Sequence, residues 1–271
     1  MKSQMVSRSV FVILILLAFS QIEMSDQPFD KKWDLDIVFI GNSITQGGLL
    51  ENPQKEAPPA TASEYLRHEP NVGVVHFINQ GRSGFTTVDY LPSSSGALSD
   101  VIMATHQLHS DSQRLLVFTI SLGTNDSAET GPNGSPVSPG TYQMNLKSIV
   151  DQLLIDFPES RIILLQPIWY SPNTYNSAKY MAEGLARLQS YFPELDSLVK
   201  SYSQTRPGHV FIGDLKGFAY FRNNYLTDFI PESGNAGTFY LHPNKKGAAV
   251  LGKLWGEAIY QSLFNTSIST E

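Results

Sequence analysis

The chain contains no cysteine. That absence excludes a disulfide framework, thiolate catalysis, cysteine-ligated metal and lipid attachment through a cysteine. It says nothing against export, because a chain of 271 residues can bury enough surface to fold without disulfides. Positive charge is also scarce: 19 Lys and Arg face 25 Asp and Glu, for a formal net charge of −6. Proteins that track phosphates concentrate basic residues, so nucleic acid is not an expected partner. Internal repeats and low-complexity tracts are missing too, which leaves little support for a structural or adhesion array. The N-terminal apolar run, Val10 to Phe19, is about half the roughly twenty residues needed to span a bilayer.

That run follows Lys2 and Arg8 and leads into Ala18-Phe19-Ser20, small residues at the positions a signal peptidase reads. The pattern predicts a cleaved signal peptide over residues 1–20 and an exported protein, periplasmic or secreted, with no stable membrane insertion after cleavage. A single catalytic domain is expected over residues 34–266.

Five short apolar runs bounded by Gly, Pro, Asn or Asp read as strands: Asp36–Ile40, Val74–Ile78, Leu115–Leu122, Arg161–Ile168 and His209–Ile212. Stretches with apolar residues three and four apart read as helices: Ala60–His68, Ser94–His109, Thr141–Phe157, Ser177–Ser201 and Lys245–Phe264. Leu146, Ile149, Val150, Leu153 and Leu154 show the stripe. Alternation of this kind predicts βαβ units: an α/β fold, a three-layer α/β/α sandwich around a mostly parallel five-stranded sheet. Ligands then bind at the C-terminal ends of the strands. The Gly-, Pro- and Ser-rich segment Ala128–Gly140 is too short for a domain linker and is expected to border a site.

Just past the first strand, Gly41-Asn42-Ser43-Ile44-Thr45 exposes a serine among small residues. It is not the Gly-x-Ser-x-Gly elbow of α/β-hydrolases, because Thr45 holds the last position, nor a phosphate loop, because no Lys-Ser or Lys-Thr follows the glycines. A serine becomes a nucleophile only when a base takes its proton and fixed donors receive the charge on the substrate oxygen. Three further blocks supply such groups in order: Asn79-Gln80-Gly81-Arg82-Ser83-Gly84-Phe85-Thr86, Gly123-Thr124-Asn125-Asp126 and Leu241-His242-Pro243-Asn244. Taken singly, each has an ordinary explanation: a turn glycine, a capping asparagine, a loop histidine.

Together and in this order, three of them directly after expected strands, the four blocks resemble those of the SGNH (GDSL-like) hydrolases, over Asp36 to Phe264. Asn42 stands where many members have Asp. The resemblance implies a flavodoxin-like SGNH hydrolase fold and a serine esterase without cofactor. Ser43 would be the nucleophile, His242 the general base, and the Ser43 amide, Gly84 and Asn125 the oxyanion donors. One position departs from the family, whose last block is Asp-x-x-His: Phe239 stands three residues before His242. The group that orients His242 must then be a carboxylate from the preceding Thr227–Gly237 loop, Asp228 or Glu232, or a backbone carbonyl. Asp126 and Asp214 are expected to cap or brace loops. His68, His76, His106, His109 and His209 are scattered without a carboxylate cluster, so no metal site is expected. Trp169, Tyr170 and Tyr175 follow the fourth strand, and either face a substrate or pack the core.

The resemblance implies hydrolysis of carboxylic esters through an acyl-enzyme, with carbohydrate O-acetyl esters first among substrates and short-chain lipid esters or thioesters also open. The vacancy at position 239 supports a rival reading, a catalytically silent sugar-binding protein on the same fold. The oligomeric state is not legible in the sequence.

Overall fold

Along the first strand, Leu35, Ile37 and Phe39 alternate with Val38 and Ile40, all buried, as expected of a strand covered on both faces. The computed structural model describes residues 32–264 except 95 and 112. The expected signal peptide lies outside the described residues. In chain order the elements are β1 (Trp33–Gly41), α1 (Ser43–Gln46), α2 (Pro53–Glu56), α3 (Pro58–Arg67), β2 (Val72–Gly81), α4 (Ala97–Leu108), β3 (Leu115–Ser121) and α5 (Pro139–Asp156). There follow β4 (Arg161–Leu165), α6 (Met181–Ser190), α7 (Phe192–Thr205), β5 (Val210–Gly213), α8 (Gly217–Asp228), β6 (Phe229–Gly234), β7 (Gly237–Pro243) and α9 (Lys245–Phe264). Among the described residues, no helix is long and apolar enough to cross a membrane.

The five-stranded sheet has the order β2-β1-β3-β4-β5, and every pairing in it is parallel. Two apolar layers cover it. Val38, Ile40, Phe118 and Ile120 pack with Leu98 and Val101 of α4, Leu146 and Ile149 of α5, and Leu188 and Leu195 of α6 and α7. On the other face, Ile37, Phe39, Val117 and Ile163 pack with Ala62 and Leu66 of α3, Phe221 of α8, and Leu251 and Trp255 of α9. Phe39 stacks on the Trp255 ring with centroids 6.3 Å apart. The strand order reverses direction between β1 and β3, which opens a crevice beyond their C-terminal ends. The segments that follow β1, β2 and β3 all emerge there.

Besides the unanticipated helices α1, α2 and α8, the structure departs from the sequence reading in three places. The helix expected over Ser177–Ser201 is two helices meeting at Tyr191, because Pro193 lacks an N–H and its ring would clash with the Gln189 carbonyl of a continuous helix. The fourth strand stops at Leu165, since Pro167 has no N–H with which to extend the ladder. The expected Thr227–Gly237 loop is instead the end of α8 followed by the antiparallel hairpin β6–β7. Pro231 inside β6 hides that strand from a propensity reading, and it is tolerated because β6 pairs on one side only.

Candidate active site

The serine loop is built by a helix cap. Asn42 is extended, and its Oδ1 accepts the Ile44 amide at 3.0 Å to start the short helix α1. A cap requires only a side-chain oxygen acceptor, so asparagine here does what aspartate would do. Ser43 is the first helical residue, and its own N–H is one of those that have no partner within a helix. Beside it, a Cβ on Gly48 would lie 3.3 Å from Ser43 Cβ and 3.7 Å from His242 Cδ2. The bare backbone there preserves the space around the pair.

The Ser43 hydroxyl lies 2.9 Å from His242 Nε2. His242 sits where the β6–β7 register shifts between Phe229 and Pro231, an irregularity of the kind that re-aims side chains next to active sites. Its main-chain N–H donates to Glu232 Oε1 at 3.2 Å, and its ring Nδ1 lies 2.9 Å from the same oxygen. An ionised carboxylate only accepts, so Nδ1 carries the proton and Nε2 is left to accept from the serine hydroxyl. Glu232 is the cross-strand partner of Phe239 in the hairpin register. The position vacant in the fourth block is thus matched by an acid on the neighbouring strand.

Asp228, the other carboxylate considered from sequence, is fully buried and bonds Tyr220, Thr227 and Lys246. Burial alone would raise its pKa, but Lys246, Thr227 and Tyr220 hold it below the usual carboxylate range. It braces the end of α8. Phe239 is buried in the core, so restoring the family's acid there would place a carboxylate among apolar side chains. Phe239→Asp is expected to cost at least about 3 kcal/mol of stability by denaturant unfolding, with no gain in turnover. A stable variant with raised turnover would contradict the assignment of Glu232.

Gly84, at φ +80°, needs glycine for its backbone conformation, since a Cβ there would meet nothing within 4 Å. Asn125 follows β3, its Nδ2 donating to the Phe85 carbonyl at 2.9 Å and its Oδ1 accepting from the Tyr180 hydroxyl at 2.7 Å. Ser43, Gly84, Asn125 and His242 line one cavity of about 500 Å³, together with Ser83, Phe85, Asp89, Asn133, Asn176, Ser177, Tyr180 and Leu241. Gly131, Pro132 and Asn133 bring the expected Ala128–Gly140 border to its rim. A second cavity, of about 320 Å³ beside Asp214, Lys216 and Glu257, shares no lining residue with it.

The remaining candidates are structural. Asp126 Oδ1 accepts from the Thr87 amide and hydroxyl, and burial pushes its pKa up to about 6. Asp214 accepts the Gly217 amide at the start of α8. His76 and His109 both bond Asp36 at the start of β1, His68 meets the Glu64 carbonyl, His209 the Ser160 carbonyl, and His106 packs on Phe157. Among the described residues, no group of three or more such side chains is arranged to hold a metal ion. Trp169 and Tyr170 are core residues, and the half-buried Tyr175 is not among the cavity's lining residues. Two aromatic rings do line the cavity, Phe85 from the second block and Tyr180. Tyr180 went unrecognised in the sequence, where it lies inside the stretch read as one long helix.

Comparison with known proteins places this architecture. The model of the GDSL-like Lipase/Acylhydrolase family matches residues 39–250. No curated protein sequence matches the chain significantly. Among solved structures, an aryl esterase of M. smegmatis is similar at 15% identity and a TM-score of 0.57, over 84% of this chain and 99% of that one. A carbohydrate acetylesterase from Sinorhizobium meliloti is similar at 16% identity and a TM-score of 0.54, over 83% and 97%. An acetyl-xylooligosaccharide esterase from Geobacillus, at 15% identity and a TM-score of 0.56, covers 89% and 100%. At these identities the likeness concerns the fold.

Proposed function

Because the chain belongs to the GDSL-like Lipase/Acylhydrolase family and is a carboxylic ester hydrolase, we propose that it works through an acyl-enzyme on Ser43. The observation that carries the proposal is the continuous relay Ser43–His242–Glu232 opening onto the cavity. In this reading Ser43 Oγ attacks the ester carbonyl as its proton passes to His242 Nε2. The oxyanion is held by the Ser43 and Gly84 amides and by Asn125 Nδ2. Collapse expels the alcohol, which takes the proton from His242, and leaves the acyl group on Ser43. A water deprotonated by His242 then releases the acid and restores the serine. Glu232 keeps Nδ1 protonated and stabilises the imidazolium without itself taking the proton. The rival reading, a silent sugar-binding protein, rested on the vacancy at Phe239, and Glu232 removes its support.

The substrate we propose is an O-acetyl ester of a carbohydrate. Ser83, Asn133, Asn176 and Ser177 give the cavity polar walls suited to sugar hydroxyls rather than to a long acyl chain. Acetylesterases acting on carbohydrates stand among the structural neighbours. The protein acts outside the cytoplasm in this reading, which the signal-like residues 1–20 support. The test is acetate release from acetylated oligosaccharides measured against short-chain lipid esters and thioesters. Higher kcat/KM on the sugar esters supports the assignment, and preference for either alternative overturns it.

Asn125→Ala is expected to lower kcat by about 10²–10³, the usual effect of losing one oxyanion donor, with a smaller change in KM. Steady-state kinetics on p-nitrophenyl acetate measure both. A change confined to KM would make Asn125 a binding residue.

A further inference from the structure

An oxyanion amide must face the substrate with its nitrogen, yet a carboxamide can turn over and present oxygen instead. Presented to an oxyanion, that oxygen would repel it. Two groups decide the orientation of Asn125. The Phe85 carbonyl only accepts, so it requires Nδ2 on its side, at 2.9 Å. The Tyr180 hydroxyl then donates to Oδ1 at 2.7 Å. Oxygen is thereby paired and one N–H is spent, which leaves the second N–H of Nδ2 for the cavity that Asn125 and Tyr180 both line.

We propose that Tyr180 is a positioning residue of the esterase, locking the Asn125 carboxamide with its nitrogen toward the oxyanion. The proposal rests on Asn125 acting as an oxyanion donor. Tyr180 lies 55 positions from Asn125, and a local device brings it there. The segment before it bridges the loop after Asn125: Lys179 N donates to the Thr130 carbonyl at 3.0 Å, and Glu129 N to the Lys179 carbonyl at 2.6 Å. The Lys179 ammonium closes the same bridge on Glu129. The tyrosine is buried, with its ring against Tyr170 edge to face at 5.4 Å. Burial, followed by the charges of Glu232 and Asp126, raises its pKa, so the hydroxyl keeps the hydrogen it donates.

Removing the hydroxyl leaves a buried amide oxygen without a donor, while the Phe85 carbonyl still opposes complete turnover of the amide. The loss is therefore smaller than that of Asn125 itself. Tyr180→Phe keeps the ring and is expected to lower kcat about tenfold with KM little changed, and to lower the melting temperature by no more than several degrees, so that the protein stays folded in the assay. The decisive measurement is the double-mutant cycle with Asn125→Ala. Once the carboxamide is gone, Tyr180→Phe is expected to have no further effect on kcat. Equal losses in both backgrounds, an unchanged kcat in the single variant, a change in KM alone, or a loss explained by unfolding would each overturn the proposal. If Asn125→Ala itself leaves kcat intact, the oxyanion assignment fails along with it. A full effect of Asn125→Ala beside a silent Tyr180→Phe refutes the positioning role alone.

Discussion

Ser43→Ala is expected to lower kcat roughly a millionfold, the scale seen when a serine hydrolase loses its nucleophile, while the protein stays folded. Ser43's side-chain hydrogen bond is to His242, so no buried network collapses when its hydroxyl is removed. His242→Ala is expected to cost a similar factor, and the double variant little more than either single one. That non-additivity follows from the mechanism: without the base the serine is not activated, and without the serine the base has nothing to deprotonate. Hydrolysis of p-nitrophenyl acetate by each variant, with near-wild-type melting temperatures as the control for folding, measures the effect. A folded Ser43→Ala variant retaining even one per cent of turnover would remove the acyl-enzyme from consideration.

Glu232→Gln is expected to lower kcat about 10⁴-fold. Glutamine preserves the length of the side chain and an oxygen that can accept from Nδ1 and from the His242 amide, so the hairpin is retained. What it removes is the negative charge that supports the imidazolium formed as the serine proton is taken, and loss of the acid's function in a triad has about this magnitude. The control is Asp228→Asn. Asp228 bonds Tyr220, Thr227 and Lys246 rather than His242, so its loss is expected to appear in the melting temperature and not in kcat. Near-normal turnover in Glu232→Gln with a large loss in Asp228→Asn would reverse the two roles.

The parallel sheet was legible because its central strands are buried on both faces and read as apolar runs, Ile37 to Ile40 and Leu116 to Phe118 among them. Its helices were legible where a stripe dominated, as from Leu146 to Leu154. The hairpin was not, because it carries Pro231 and a register shift, and β6 ends in the turn-like residues Pro231-Glu232-Ser233-Gly234. That failure hid the orientation of His242. From the sequence, Glu232 was one of two acids ten or more residues away, and nothing local favours it over Asp228. Only the pairing of Glu232 with Phe239 carries a carboxylate across the hairpin to the histidine. Tyr180 was obscured differently. Its role depends on a two-residue bridge to Thr130, too short to leave a periodic trace.

The central claim is that Ser43 becomes acylated, and covalent trapping tests it most directly. Treating the protein with a serine-directed phosphonate, then mapping the adduct by peptide mass spectrometry, is expected to place one label on Ser43 in proportion to lost esterase activity. Glu232→Gln is expected to label on the same residue far more slowly. Full inactivation with the label elsewhere, or undiminished turnover after Ser43 is fully labelled, would contradict the account.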